Sequence, residues 1–244
     1  MITSNDIRIF ANHCKATLNL ANAKDPCAGL YQNLPLCLLD AVYSMGVRYG
    51  STRKVTARYA AYYVPQGTNA NHTISEFLKN IENAGGAKNF AENVLNNKQR
   101  TATRNGILKS ESCELVAKEL QKRGIETISD FRNYSDKNEL DKAICSTKSQ
   151  SSGIMLKYLY MLAGDENMVK PDRMISRYIG LVLPRIKDHD DMVELVCRAS
   201  DELKKSYPRL CPRALDHSIW EYQRAKTIKK PKKLKRSKKV KKLK

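Results

Sequence analysis

Apolar side chains recur every three or four residues along most of the chain, which is the period of a helix with one buried face. The strongest stretch, residues 34–48 (LPLCLLDAVYSMGVR), is apolar on most sides and predicts a buried helix. A capping box, Thr73-x-x-Glu76, predicts the start of a later helix. Because no alternating strand pattern of useful length occurs, the sequence predicts an all-α fold.

Short turns separate the predicted helices. Ser51 and Thr52 are expected to cap the third helix, and Pro65 is expected to end it. The predicted helical segments are 5–22, 34–48, 52–64, 73–83, 87–96, 110–123, 128–134, 136–145, 154–163, 172–183, 190–204 and 213–224. No internal repeat is found.

The positive charge is concentrated at the C-terminus. The formal net charge is +19, and residues 226–244 contain 12 Lys or Arg and no acid, which leaves +7 on residues 1–225. This surplus predicts a polyanionic partner, and nucleic acid is the usual one because each phosphate contact releases a counterion. The tail has charge but no face to bury, so we expect it to be disordered. A solubility tail or a localisation signal is the alternative reading of this segment.

An anionic membrane surface is the other polyanion to consider. The tail's apolar residues are sparse, and no segment has the run of about 20 apolar residues that spans a bilayer. Residues 1–20 carry Asn, Asp, Arg and Lys without an apolar run, so no signal peptide is expected. We therefore expect an intracellular monomer in the cytoplasm, at the nucleoid or in a nucleus, with no membrane partner.

Cysteine and histidine spacing predicts neither disulfides nor a metal site. The seven cysteines are widely spaced without a CxxC pair, and most lie in apolar stretches that read as reduced core. Asp216, His217 and Glu221 lie close together on a predicted helix, but one histidine is too few for a site, and a polar surface explains them. The acidic run 188–191 (DHDD) reads as the first turn of a helix.

Residues 138–178 carry the most informative pattern. A short helix is followed by the turn Ser149-Gln150-Ser151-Ser152-Gly153, then by an apolar helix, a loop, and Asp172 at a helix start. Small turn residues let backbone N–H groups approach a phosphate, and the N-terminus of the next helix directs its positive partial charge the same way. Two helices joined in this way would bind DNA phosphates without reading sequence.

This pattern resembles the helix-hairpin-helix DNA glycosylase superfamily. In that family a hairpin of the form L-P-G-x-G is followed about 20 residues later by V-D-x-H; here 149–153 and Lys170-Pro171-Asp172-Arg173 hold those positions. Residues 36–59 resemble the helix and turn with which the family enters its helical barrel. The likeness is weak in sequence and covers about 34–180, in the family's order and spacing.

The resemblance implies a catalytic role for Asp172. Breaking an N-glycosidic bond develops positive charge on the sugar, and a nearby carboxylate can stabilise that charge and orient the attacking water. The competing explanation is structural, because Asp is a favoured N-cap residue. The two roles are compatible.

Departures from the family pattern limit what it implies. Met174 stands where the family has His, the hairpin lacks its proline and first glycine, and residues 45–48 replace the usual Gln wedge. The family's four-cysteine cluster is absent, so no iron–sulfur centre or other cofactor is expected. Members that also cut the strand carry a lysine about 18 residues before the Asp. Here that position is Ile154, and the nearest lysine, Lys157, keeps a lyase reaction open; without an amine in place the enzyme would be monofunctional and use water.

An altered base must leave the stack to be excised, so a wedge and a pocket are required. The wedge candidates are Val47, Arg48 and Tyr49, and Arg48 is also a candidate DNA contact. The candidates for stacking on the base are Tyr43, Tyr49, Tyr62, Tyr63 and Trp220. Aromatic residues on buried helices are more often core, which is the alternative for each.

Taken together, the sequence predicts a two-lobed, helix-hairpin-helix DNA glycosylase-like fold. Residues 34–164 are expected to form the barrel with the hairpin, residues 1–33 and 165–225 the second lobe, and 226–244 the basic tail. The predicted function is a monofunctional glycosylase acting on a damaged or modified base in double-stranded DNA; the sequence does not identify the base. A non-catalytic helix-hairpin-helix DNA-binding protein is the runner-up, and a helical adaptor with a basic tail is the third reading.

Overall fold

A computed structural model describes residues 1–25, 27, 29–64 and 72–228. Within these residues the secondary structure is helical, apart from one isolated antiparallel bridge between Arg100 and Leu108. The helices are α1 (Ser4–Thr17), α2 (Leu34–Tyr43), α3 (Tyr49–Tyr63), α4 (Ile74–Asn83), α5 (Ala87–Asn89, continued by a π-helix over Phe90–Val94), α6 (Lys109–Gln121), α7 (Ile128–Asn133), α8 (Lys137–Ser146), α9 (Ile154–Leu162), α10 (Arg173–Ile179), α11 (His189–Lys204) and α12 (Pro212–Ile228). A 3-10 turn covers Leu20–Asn22. The predicted all-α class is confirmed for the described part of the chain.

Local capping signals fix several helix starts where the sequence predicted them. Thr73 accepts a hydrogen bond from the backbone of Glu76, whose carboxylate accepts from the Thr73 backbone, so the predicted capping box of α4 is confirmed. Asp188 caps α11 by accepting from the backbone N–H groups of Asp190 and Asp191, as predicted for the acidic run.

Several boundaries differ from the prediction. The helix predicted over 34–48 ends at Tyr43, and the helix predicted over 172–183 ends at Ile179. The helix predicted over 5–22 ends at Thr17, before the short 3-10 turn. α3 begins at Tyr49, and Arg48 holds the N-cap position without a side-chain hydrogen bond, so the predicted Ser51–Thr52 cap is wrong. α12 continues to Ile228, into the segment assigned to the tail. Pro65 and residues 229–244, with their predicted disorder, lie outside the described residues.

Buried apolar residues form two separate clusters. The first cluster is built from α2 to α9 and is centred on side chains such as Leu38, Phe77 and Phe90. The second cluster is built from α1 and α10 to α12, with Phe10 and Tyr178 among its members. Helix α1, from the start of the chain, therefore packs with α10, α11 and α12 from its end. Helices α2 to α9, which lie between them in sequence, form a separate core.

Arg213 is one of the side chains that join the two clusters. It is 4 % exposed, so its charge must be satisfied internally. Its Nη1 donates to the carbonyl of Met161 at the end of α9 over 2.7 Å, and its Nη2 pairs with Asp25 at 2.6 Å. The first turn of α12 is thereby held against the helix that follows the predicted hairpin.

Candidate active site

The predicted hairpin lies between α8 and α9. Ser149 and Gly153 both have left-handed backbone, with φ of +73° and +66°. The Gln150 N–H donates to the Thr147 carbonyl, and the Gly153 N–H donates to the Gln150 carbonyl, which makes the connection compact. Glycine suits position 153 because residues that carry a Cβ atom rarely adopt this left-handed backbone conformation. The chain thus reverses within seven residues and enters α9 directly.

The residues of the hairpin have different surroundings. Ser151 and Ser152 are exposed at the tip, and Ser149 accepts a 3.0 Å hydrogen bond from Thr101. Gln150 is buried, and its side-chain amide donates to Ser112 on α6 over 2.6 Å. The Gln150 side chain was predicted to contact DNA, but it faces inward and anchors the turn to the first cluster.

Asp172 lies directly before α10 and is half-buried. Its Oδ1 accepts from the backbone N–H of Met174 at 2.7 Å and of Ile175 at 3.4 Å, which is the geometry of an N-cap. The capping role expected from the sequence is therefore confirmed. These bonds use one carboxylate oxygen and fix the orientation of the group at the positive end of the helix.

Lys170, two residues before Asp172, lies between the two clusters. Its Nζ donates to Ser44 Oγ at 3.1 Å and lies 3.7 Å from the centroid of the Tyr158 ring on α9. Burial lowers the pKa of Lys170, while Asp172, Asp40 and Asp216 act in the opposite direction. No pattern in the sequence marks this lysine as a functional residue.

Asp216 on α12 fixes the backbone of this loop. Its Oδ2 accepts the Lys170 backbone N–H at 2.8 Å, and the residue is 8 % exposed. Burial raises the pKa of Asp216 to about 7, an effect that the Asp172 charge increases and the Lys170 charge opposes. A carboxyl group that changes charge near neutrality therefore lies beside Lys170 and Asp172.

Asp40 is a second buried carboxyl group near Lys170. It lies on α2 and is fully buried, and its Oδ2 accepts hydrogen bonds of 2.9 Å from both Tyr31 and Tyr49. Burial raises the pKa of Asp40, and the nearby Lys170 charge and the tyrosine hydroxyls oppose this. The available sequence signal was a single carboxylate inside an otherwise apolar helix, because such a residue needs polar partners in the core.

An aromatic pair spans the junction between the clusters. Tyr49 meets Trp220 edge-on, with ring centroids 6.5 Å apart, and His217 stacks on Trp220 with ring centroids 5.7 Å apart. Arg224 lies 5.0 Å from the Trp220 ring centroid. Tyr49 and Trp220, both predicted as candidates, are thus brought together.

The remaining aromatic and wedge candidates are not all at this junction. Tyr43 is 1 % exposed and belongs to the first cluster, so it is a core residue and not the wall of an open pocket. Tyr62 is exposed and Tyr63 half-buried at the far end of α3. Val47 is half-buried and Arg48 is exposed in the turn that leads into Tyr49.

Lys157, the predicted alternative nucleophile, is engaged elsewhere. Its Nζ forms a 2.5 Å ion pair with Asp190 on α11. This contact turns the amine toward the first turn of α11, and a paired ammonium group is a poor nucleophile. Lys157 therefore links α9 to α11 in this structure.

The part of the chain that the structure describes has surface cavities, and two of them are not lined by Asp172. One lies between α1 and α11 and has a volume of about 520 Å³; the other lies along α8. Within the described ranges, no group of three or more His, Cys, Asp or Glu side chains is arranged to hold a metal ion. His217 instead approaches Glu221 at 3.5 Å. All seven cysteines are free.

The helices of the described residues include none that combines the length and apolarity needed to cross a membrane. A family model described as a domain of unknown function (DUF8548) matches residues 8–224, so the chain belongs to this family. No curated protein and no solved structure matches the chain.

Proposed function

We propose that this protein is a monofunctional DNA glycosylase in which the Asp172 carboxylate assists hydrolysis of the N-glycosidic bond of an extruded base. The observation that carries the proposal is the position of this half-buried carboxylate. It lies at the N-terminus of α10, next to the Lys170–Ser44 contact that joins the two hydrophobic clusters. The substrate is a damaged or modified base in double-stranded DNA, and the protein acts inside the cell as a monomer.

The two clusters support the two-lobed, helix-hairpin-helix arrangement that this function requires. The first cluster contains α8 and α9, and the second contains α10. The hairpin on one lobe would bind the duplex, and the aspartate on the other lobe would act on the sugar from the opposite side of one cleft. The Lys170–Tyr158 contact ties the loop before Asp172 to the helix after the hairpin.

The hairpin supports a phosphate contact. Ser151 and Ser152 are exposed, and Gly153 turns the chain so that the N-terminus of the nine-residue α9 follows directly. Exposed hydroxyls and N–H groups at a helix N-terminus bind phosphate without regard to sequence. This contact would hold the duplex in register while the base is extruded.

The proposed chemistry assigns Asp172 to the sugar. As the bond to the base breaks, positive charge develops on the sugar, and a fixed carboxylate stabilises that charge. Two backbone N–H groups orient Oδ1, so Oδ2 is the oxygen assigned to the sugar or to the attacking water. Water is the proposed nucleophile, and the pairing of Lys157 with Asp190 favours it.

The extruded base is assigned to the aromatic pair Tyr49 and Trp220, and the wedge to Val47 and Arg48. The two rings meet edge to face across the junction, and the base is assigned to a face of one of them. His217 and Arg224 already contact the Trp220 ring, so a base that stacks on Trp220 would take the place of one of them.

One observation favours a second candidate function, a non-catalytic DNA-binding protein on the same scaffold. Asp172 already has a structural role, because its carboxylate caps α10 by accepting from two backbone N–H groups. In a protein that never extrudes a base, Asp172 would act only as this cap.

The proposal is tested by incubating the protein with duplexes that carry a panel of altered bases and measuring abasic sites. We expect the wild type to release at least one altered base and Asp172→Asn to release it at least about a hundredfold more slowly, while the variant keeps the cap and DNA binding. Binding without release from any duplex would favour the non-catalytic protein. Equal release by both proteins would remove Asp172 from the mechanism.

A further inference from the structure

The loop over residues 97–109 lies between the start of α3 and the predicted hairpin. Gln99 Nε2 donates to Ser51 Oγ at 3.4 Å, and Thr101 Oγ1 donates to Ser149 Oγ at 3.0 Å. The loop therefore connects Ser51 with Ser149, and each of these residues is 48 positions in sequence from its partner in the loop. The sequence pattern gave no sign of this contact.

The three connected segments contain no acidic residue. They are 46–54 at the start of α3, the loop 97–109, and 146–157 around the hairpin. Their exposed cations without an acid partner among the described residues are Arg48, Arg53, Lys54, Arg100, Arg104 and Lys148. No carboxylate within the three segments compensates this charge. Three acids outside them do contact the segments: Glu92 pairs with Lys98, Asp190 pairs with Lys157, and Glu111 accepts the Leu108 N–H. We call this set of segments the acid-free surface.

The loop of the acid-free surface has a defined shape. The Thr101 N–H donates to the Ile107 carbonyl at 2.9 Å, and Arg100 Nε donates to the Gly106 carbonyl at 2.8 Å. A Cβ on Gly106 would lie 2.3 Å from the backbone nitrogen of Ala102, so only glycine allows this close return of the chain. Arg104 is exposed at the tip of the loop that these contacts close.

The chemistry of the acid-free surface fits phosphates better than a lipid surface. The exposed large apolar side chains of the described residues are Met1, Ile9, Tyr62, Leu115 and Leu181, and all of them lie outside the three segments. Membrane-surface binding generally combines basic charge with apolar side chains that enter the bilayer. Here the cations are accompanied by hydroxyl and amide groups, such as those of Ser151, Ser152 and Asn105, which can donate hydrogen bonds to phosphate oxygens.

We propose that the acid-free surface is one continuous binding surface for duplex DNA phosphates, in which the 97–109 loop supplies contacts beyond those of the hairpin. The proposal deepens the proposed function in naming the partner as DNA, but it does not require base release. Each phosphate that a side chain neutralises releases counterions, so the surface should control the salt dependence of binding.

The test is the binding of unmodified duplex DNA to the full chain over a series of salt concentrations. Arg104→Gln removes one charge from the tip of the loop, and Lys79→Gln removes one exposed charge from α4, outside the three segments. For Arg104→Gln we expect the slope of log affinity against log salt to become shallower by about 0.9. If the two affinities are equal at 1 M salt, this change corresponds to a roughly eightfold loss of affinity at 0.1 M. Lys79→Gln should leave the slope unchanged.

Equal slopes for Arg104→Gln and the wild type would overturn the proposal, and so would equal losses for Arg104→Gln and Lys79→Gln. Vesicles containing phosphatidylserine provide the membrane arm: an Arg104-dependent loss confined to vesicles also overturns it. Because unmodified DNA is the ligand, a protein that binds through Arg104 but releases no base would contradict the glycosylase alone. Release of base with equal slopes would contradict the binding surface alone.

Discussion

The Lys170 ammonium nitrogen lies 3.7 Å from the centroid of the Tyr158 ring. Tyr158 belongs to the helix that follows the hairpin, and Lys170 belongs to the loop that ends at Asp172. Both residues are half-buried. A cation over an aromatic face contributes about 0.5–1 kcal/mol at exposed sites and more as water is excluded. This contact therefore helps to hold the loop before Asp172 against α9.

Asp216→Asn should stabilise the protein at neutral and higher pH. The folded pKa of Asp216 is about 7, above its ordinary 3.8, so the folded state holds the proton more tightly and loses stability as pH rises from about 4 to 7. The difference between the two values corresponds to at most about 4 kcal/mol. Asparagine can still accept the Lys170 N–H. Urea unfolding at pH 4 and pH 8 measures this: the variant's advantage should be small at pH 4 and largest at pH 8.

Lys170→Met should shift to higher pH the range over which the ionisation of Asp216 lowers the free energy of unfolding. The Lys170 charge lowers the pKa of Asp216, so its removal raises that pKa above about 7. The free energy of unfolding should then keep falling beyond pH 7, where the wild type levels off with respect to this group. In an Asp216→Asn background this extension should disappear; if it persists, another group is responsible.

The buried charge of Lys109 should make the free energy of unfolding smaller below pH 8 than at higher pH. It is buried, and its Nζ donates to the carbonyls of Tyr43 at 3.1 Å and Met45 at 2.7 Å, at the end of α2. Burial lowers its pKa from 10.5 to about 8, so the unfolded chain binds the proton more tightly. Between pH 8 and 10.5 the stability of the wild type relative to Lys109→Met should rise by up to about 3 kcal/mol. A difference that stays constant over this range would contradict the burial effect.

Lys157→Ala should leave base release and DNA integrity unchanged. Lys157 faces Asp190 on α11 in an exposed ion pair, and water is the proposed nucleophile, so we expect no imine between Lys157 and the aldehyde of an abasic sugar. Borohydride treatment of the protein with DNA containing an abasic site checks this. Any covalent adduct should be equally abundant for wild type and Lys157→Ala, and an adduct lost only in this variant would restore Lys157 as a nucleophile.

The sequence predicted what depends on local signals. Neighbouring residues determine the helical period, the Thr73 capping box and the N-cap position of Asp172, and the structure confirms these three predictions. The Arg48 position before α3 was missed because Ser51 and Thr52 are better N-cap residues by type, although neither holds that position.

The arrangement around Lys170 could not be predicted in this way. Ser44, Tyr158 and Asp216 reach it from three separate helical regions, and such contacts depend on how the helices pack. The same reason explains Gln150, which reads as part of a polar turn but meets Ser112 in the interior. Tyr43 was left between base stacking and core, because an aromatic residue near a turn has the same sequence pattern in both; the structure buries it.

The most direct test of the central claim compares Asp172→Asn with Asp188→Asn. Both aspartates cap a helix through hydrogen bonds from two backbone N–H groups, and asparagine caps about as well. With a duplex from which the wild type releases a base, single-turnover release should fall at least about a hundredfold for Asp172→Asn, as expected for loss of an electrostatic catalytic group, and stay near wild type for Asp188→Asn. Release at similar rates by both variants would contradict a catalytic Asp172 and leave it as a cap alone.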